Sequence, residues 1–396
     1  MAHCAHGGRT LRHATRQHQV MKSILPPAVI GILGGGQLGR MTALAARNMG
    51  YRVHVMDPDA NCAASPIVER VVVGAFDDAA AAAELARGAD VVTLEIEKIG
   101  PAALEAVTAH APLRPGVDVV RMVQHRGRQK TWLSSHGFPV GPHAMIETAA
   151  QLATAARDIG PHLFVKSSEG GYDGRSQLRL QDGSDHEEAF AQLGRRPAVA
   201  EQALDLALEL SVLVARRPSG DLLAYPPALN HHENQVLSWS VLPAELPPGV
   251  AREAQAIAAG IAEALTLEGI LAVEMFLLRD GRLLVNELAP RPHNSYHGSE
   301  LACPTSQFEQ IVRAVCNLPL GDVEPARPAA IYNLFGELWE DGRVPRFDEA
   351  LAVPGCRLFL YGKPGARRGR KMGHLGSIGA TVDEALGRVR QAAVRL

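Results

Sequence analysis

The sequence predicts an α/β protein whose N-terminal part is a doubly wound parallel sheet, and two observations predict it. The first is alternation. Short apolar runs at Ala28–Leu33, Val53–Met56, Val71–Val73 and Val91–Leu94 are separated by helical patterns at Arg40–Asn48 and Asp77–Arg87, and another helix starts at Pro101. The second is the Gly-rich turn after the first run, where Gly34, Gly36 and Gly39 match G-x-G-x-x-G. The second run ends in Asp57, near the offset at which a dinucleotide fold places its ribose-binding acid. Taken alone, this supports an NAD-dependent oxidoreductase; glycines at a strand–helix turn also serve close packing without a ligand. Glu95 and Glu97, just past the fourth run, lie where such sheets bind ligands, or on a solvated loop.

The chain has 396 residues, which suggests two or three domains, and its net charge of −2 argues against a nucleic-acid or polyanion binder. No apolar run approaches the roughly 18 residues of a membrane span. Five scattered cysteines without a Cys-x-x-Cys pair fit a reducing, cytoplasmic compartment. Residues 1–27 carry no acid and several histidines and arginines, and read as a disordered extension. A transit peptide and a true start at Met21 are the alternatives. Only six lysines occur, at 22, 98, 130, 166, 363 and 371, so each is informative.

Two apolar runs, Ala272–Leu278 and Leu283–Ala289, are joined by Arg279-Asp280-Gly281-Arg282. Asp-Gly is a strong signal for a two-residue hairpin turn. With that turn, positions summing to 561 sit opposite each other, and Glu274 faces Glu287. Like charges roughly 5 Å apart repel unless bridged. A hard divalent cation such as magnesium is the natural bridge, with Asn286 next door to supply a further oxygen. A solvent-exposed acid pair at a sheet rim is the alternative.

The remaining motifs carry anion chemistry. Arg126 and Lys130 open a helix that ends near Gly137. Leu163–Lys166 is a strand ending in a lysine, followed by a loop in which Gly170, Gly171 and Gly174 let the backbone approach phosphate oxygens. This loop is not a P-loop; an ordinary hairpin tip is the other reading. Residues 198–204 form a strand and linker, with Glu209 opening the next strand, and together they offer an apolar slot and a carboxylate for adenine and ribose. His231 and His232 point to opposite faces of a strand, which makes one a site residue and the other a bystander. Arg291, His293, Asn294 and Ser295 crowd a Pro-flanked loop suited to an anion. Leu358–Lys363 is a strand leading into Arg367–Lys371 and His374, a phosphate clamp or a solubilising basic loop.

Several of these motifs in one order resemble 5-(carboxyamino)imidazole ribonucleotide synthases, ATP-grasp enzymes of purine biosynthesis. The matching stretches are GILGGGQLGRM (31–41), KSSEGGYDGRSQ (166–177), VEMFL (273–277), NELAPRPHNS (286–295), SQFEQIVR (306–313) and YGKPGARRGRKMGH (361–374). The resemblance covers residue 28 to the C-terminus. It implies a pre-ATP-grasp, Rossmann-like domain (28–125), an ATP-grasp domain (126–325, lid about 160–205) and a small β-rich C-terminal domain (326–396). It also implies that the first sheet holds no dinucleotide.

Carried over by position, ATP would contact Arg126, Lys166, Gly171, Tyr172, Asp173, Gly174, Arg175, Ser176, Gln177, Glu201, Gln202, Ala203, Leu204, Glu209, His232, Asn286 and Glu287. Glu274 and Glu287 would hold magnesium. Aminoimidazole ribonucleotide would lie against Tyr172, Asp173, Arg175, Arg291, His293, Asn294 and Ser295, with its 5′-phosphate on Lys363 and Arg370. Lys166, Asp173 and Arg291 would carry the chemistry, Asp173 by accepting the proton of the amine. The resemblance further implies a homodimer and hand-off of product to a mutase. Departures from the family pattern at Ser167–Glu169, Ser176, Leu229, Tyr296, Gly298 and Ser299 are expected to touch the lid and the wall of the ribonucleotide pocket. A formate-dependent glycinamide ribonucleotide transformylase, which shares the domain plan, is the alternative.

Overall fold

The computed structural model describes residues 22–169 and 177–396. The alternating runs near the N-terminus fold as the pattern requires. Strands β1 (Val29–Leu33), β2 (Arg52–Asp57), β3 (Arg70–Val73) and β4 (Val91–Leu94) pair in parallel in the order β3-β2-β1-β4. Helices Gln37–Asn48 and Ala79–Arg87 follow β1 and β3. Asp78 caps the latter by accepting from the N–H groups of Ala80 and Ala81.

The Gly-rich turn is filled by the chain itself. The N–H groups of Gly36 and Gly39 donate to the Glu95 carboxylate at 2.7 and 2.8 Å, and Gly35 N–H donates to Asp57 at 2.8 Å. A Cβ on Gly36 would lie 2.5 Å from Glu95 Oε1. Glu95 therefore sits where a pyrophosphate would need the helix N-terminus, which removes the dinucleotide reading. It also corrects the alternative of a solvated loop: Glu95 is tied to backbone, and Glu97 is only 2% exposed. A second correction concerns residues 22–27, expected to belong to a disordered extension. Ile24 N–H donates to the Cys316 carbonyl at 2.9 Å, Ser23 Oγ to that of Asn317 at 2.8 Å, and Tyr51 Oη to that of Ile24 at 2.7 Å. Backbone bonding seats this segment against the end of helix Gln307–Val315.

Strands β5 (His143–Ile146), β6 (Leu163–Ser167), β7 (Gln177–Leu180) and β8 (Ala198–Gln202) form a small antiparallel sheet in the order β5-β8-β6-β7, with helices Ala149–Asp158 and His186–Gln192 in its apolar core. The remaining strands are β9 (Leu206–Arg216), β10 (Leu222–Ala224), β11 (Ala228–Glu233), β12 (Val236–Leu242), β13 (Gly269–Leu278), β14 (Leu283–Ala289), β15 (Ala329–Phe335), β16 (Cys356–Leu360) and β17 (Lys371–Ile378). Among the described residues they make one sheet, ordered β14-β13-β9-β11-β12-β15-β17-β16, with β10 on β9. The C-terminal strands thus continue the central sheet through β12–β15 pairing. Alternation sets what covers it. Leu210, Val212 and Val214 pack with helix Pro248–Ala264, whereas Leu213 and Ala215 pack with helix Gln307–Val315 and the first sheet. No described helix is long and apolar enough to cross a membrane.

Glu95→Ala would strand the two helix-start donors and is expected to cost about 2 kcal/mol. A lower denaturation midpoint checks this; a midpoint equal to the parent's would show that the turn does not depend on the carboxylate.

Candidate active site

The β13–β14 hairpin brings Glu274 opposite Glu287, as the sequence predicts, but by a different route. The turn is one residue longer than Asp280-Gly281. Leu278 N–H donates to the Arg282 carbonyl at 2.9 Å, Gly281 N–H to that of Leu278 at 3.0 Å, and Gly281 takes φ +90°. This is a three-residue loop with a left-handed glycine. It shifts the pairing by one, so Leu277 faces Leu283. A bulge at Asn286 then restores the register, and Ala272, Val273 and Glu274 face Ala289, Leu288 and Glu287. The apolar pattern requires the bulge: Val285 and Leu288 both pack into the core under helix Pro248–Ala264, and strict alternation would send one of them to the other face.

Both acids are half-buried and their ionisation differs. Burial raises the Glu274 carboxyl, but the hydrogen bond from His293, at 3.0 Å, and the nearby His232 and Arg291 outweigh it and hold it at about 2. Burial pushes Glu287 up to about 7, opposed by Arg126 and Lys166 and reinforced by Glu274 and Glu97. Asn286 Nδ2 lies 3.5 Å from Glu274 Oε2, and its buried Oδ1 has no hydrogen-bond partner. Two carboxylates and an orphaned amide oxygen fit magnesium, which is usually held by one or two carboxylates plus phosphate and water oxygens.

A cationic group faces this pair. Lys166, near the end of β6, and Lys130, on helix Arg126–Ser135, hold the two oxygens of Glu201 at 2.5 and 2.7 Å. Burial would raise Glu201, yet the two ammonium groups keep it at about 2. Arg126 donates to the Ser167 carbonyl, and its N–H to that of Ser168, both at 2.9 Å. Ser167 and Ser168 thus seat Arg126 through main-chain carbonyls, which do not depend on the identity of their side chains. In the crossover after β8, the N–H groups of Gln202 and Ala203 donate to Pro142 and His162 carbonyls, so those two donors are not offered to an adenine ring. Gln177 bonds Gln235 through side-chain amides. His232 pairs with Glu209 at 3.0 Å, while His231 stacks on Trp239 with centroids 4.7 Å apart.

The Pro-flanked loop is fixed from below. Arg291 Nε pairs with Glu97 at 2.7 Å. His293 Nδ1 meets Ser295 Oγ at 2.8 Å, and Ser211 Oγ donates to the same oxygen at 2.8 Å. Ser295, expected on the ribonucleotide, is 1% exposed and spends its hydroxyl orienting His293. Asn294 accepts from Gln37, and Gln37 in turn accepts from Lys363, each at 2.7 Å. This links the first helix, the loop and the C-terminal strands. Burial lowers Lys363 and Lys371 to about 8 each. Arg370 donates to the carbonyls of Pro364 and Gly365. His374 is a correction to the basic-loop reading: it is fully buried, stacked on Phe359 and His297, and bonded to Tyr361 Oη at 2.8 Å.

Two more departures turn into the core: Tyr296 is fully buried, its hydroxyl on the carbonyls of Ser211 and Pro226, and Ser299 Oγ donates to the Tyr296 carbonyl. Leu229 packs with the core of the C-terminal strands and also lines the cavity that holds Glu209 and His232. Gly171, Tyr172, Asp173, Gly174, Arg175 and Ser176 lie outside the described residues. Gln37 joins the site without any sequence signal beyond its place after the Gly-rich turn. Lys130, Glu97 and Lys371 carried weaker ones: a basic helix start, a strand end where such sheets bind ligands, and a basic loop in a chain short of lysine.

Comparison with known proteins agrees with this geometry. Residues 28–124 match the ribonucleotide synthetase preATP-grasp domain, 131–308 the ATP-grasp domain, and 329–388 the phosphoribosylaminoimidazole carboxylase C-terminal domain. The N5-carboxyaminoimidazole ribonucleotide synthase of Bacillus subtilis is 39% identical over 352 residues, spanning 89% of this chain and 92% of the relative. That of Brucella melitensis is 38% identical, over 89% and 97%. An ADP complex of such a synthetase superposes with a TM-score of 0.89 at 38% identity, covering 94% of this chain and 98% of the other. The Aspergillus clavatus enzyme with ADP and 5-aminoimidazole ribonucleotide does so at 0.85 and 32%, covering 93% and 98%. With three domain models matched in order and relatives of this identity along nearly its whole length, the chain belongs to the N5-carboxyaminoimidazole ribonucleotide synthase family of ATP-grasp ligases.

Proposed function

We propose that the chain carboxylates the exocyclic amine of 5-aminoimidazole ribonucleotide, using ATP and bicarbonate and forming ADP and phosphate. The observation that carries this is the opposed pair Glu274 and Glu287, set among the cations Arg126, Lys166 and Arg291. Bicarbonate is a poor electrophile, so its oxygen first attacks the γ-phosphate of ATP and releases ADP. The resulting carboxyphosphate, or carbon dioxide from it, is then attacked by the amine. Lys166 leaves Glu201 to offset charge on the transferring phosphoryl group, and Arg126 lies beside it. Magnesium, held by Glu274 and Glu287, would supply electrostatic stabilisation of the same phosphates.

Arg291 and Asn294 offer donors to the ribonucleotide, with His293 oriented by Ser295 and Lys363 and Arg370 placed for its 5′-phosphate. Asp173, by resemblance, takes the amine proton. On the same resemblance the chain works as a cytoplasmic homodimer and passes its product to a mutase. Among the described residues, β3 ends the parallel sheet and exposes Val73, a surface on offer to a second copy.

ADP release from magnesium-ATP should require both the ribonucleotide and bicarbonate and yield an acid-labile product. Release that instead answers to formate and glycinamide ribonucleotide would make the chain a transformylase. Glu287→Gln should suppress ADP formation by roughly two orders of magnitude or more, since it takes a charge from the metal site. Because burial already disfavours that carboxylate, the variant should melt no lower than the parent. Near-normal turnover would sink the metal assignment.

The charge of Lys363 is present below its pKa of about 8 and lost above it. Affinity for the phosphate of the ribonucleotide should therefore fall as pH rises through that value, and Lys363→Arg should move the falling limb of kcat/KM to higher pH. An unmoved limb would dissociate it from Lys363.

A further inference from the structure

We infer that Lys130 is a positioning residue for the nucleotide: by neutralising Glu201, it allows Lys166 to leave that carboxylate for the phosphates of ATP. The inference rests on reading Lys166 as a phosphate ligand and adds a residue that does not itself touch substrate.

The geometry is a shared carboxylate. In the small sheet, Phe164 faces Glu201 and Lys166 faces Val199, so Lys166 and Glu201 are diagonal neighbours on one face. Glu201 Oε2 takes Lys166 and Oε1 takes Lys130, and the three side chains are only 15, 14 and 7% exposed for Lys166, Glu201 and Lys130. Lys130 comes from outside this sheet. Its helix, Arg126–Ser135, lies along β14: Gln129 Oε1 accepts from Leu288 N–H at 3.2 Å, and Lys130 Nζ is 3.4 Å from the Val285 carbonyl. One lysine therefore belongs to the small sheet and the other is anchored beside the strand that carries Glu287.

Were Lys166 the sole counter-charge, moving it to a phosphate would leave a buried carboxylate unpaired, and breaking such a pair is strongly unfavourable. Glu201 would then compete with ATP for Lys166. With Lys130 in place, Glu201 stays paired when Lys166 departs. Substituting Lys130 should thus weaken binding only for ligands that need Lys166, and the harm should disappear once Glu201 is neutral.

The test is equilibrium binding of ATP and of adenosine, which has no phosphates, to the full-length protein. Lys130→Met should weaken ATP about tenfold and leave adenosine unchanged, Lys130→Arg should stay near the parent, and adding Glu201→Gln to Lys130→Met should recover most of the loss. The double variant should match Glu201→Gln alone, a comparison that stands even if Lys130→Met by itself fails to fold. Equal weakening of ATP and adenosine, or a double variant about tenfold worse than Glu201→Gln, would overturn the proposal. Lys166→Met separates the two readings. If it binds ATP like the parent, the phosphate role of Lys166 fails; if it loses ATP while Lys130→Met does not, only the role of Lys130 fails.

Discussion

Two carboxylates held face to face inside a protein repel each other, and much of the site follows from that constraint. Glu274 and Glu287 are opposed because β13 and β14 must pair with their apolar residues under helix Pro248–Ala264. Neither acid can turn away without moving that core to solvent. The repulsion is met in two ways. Glu274 is kept charged by His293, His232 and Arg291, while burial pushes Glu287 up to about 7 against the pull of Arg126 and Lys166. A divalent cation would stabilise the charge that burial opposes in such a pair.

The surrounding basic groups are restrained by the same logic. Arg291 rests on Glu97, Lys166 on Glu201, and Lys363 on the oxygen of Gln37 and the Lys371 carbonyl. Each cation is thus held by a partner within the fold before any anionic ligand arrives. Helices and strands supply Gln37, Glu201 and the Lys371 carbonyl, while Glu97 and Arg291 stand on loops fixed by their own pairing, so the donors arrive preorganised.

The hairpin shows what a sequence reading can and cannot reach. Opposition of Glu274 and Glu287 was reached by counting back from a two-residue Asp280-Gly281 turn, and it holds because a turn one residue longer is offset by the Asn286 bulge. The turn itself was not legible, since Asp280-Gly281 suits a two-residue loop and the extra residue shows only once the bulge is known. The bulge itself was latent in Val285 and Leu288, which cannot share a face under strict alternation. The first sheet, the basic groups and the order of domains were legible from local pattern and from the resemblance. The partner of each basic group was not, because Lys130 and Glu201, or Gln37 and Lys363, meet only through packing of elements distant in sequence. For the same reason the departure at Tyr296 looked like a change in the pocket wall, although its side chain serves the core behind it.

The first sheet carries the same lesson in the other direction. G-x-G-x-x-G and a following acid report a tight turn with close backbone approach, and they leave open what approaches. Here the approaching group is the carboxylate of Glu95, and Asp57 completes the turn through Gly35. A dinucleotide fold uses those donors for its ligand; this chain uses them to fix the end of β4, from which Glu97 reaches Arg291. The glycines thus act on the active site at one remove: they let Glu95 seat the loop, the loop places Glu97, and Glu97 aims the arginine.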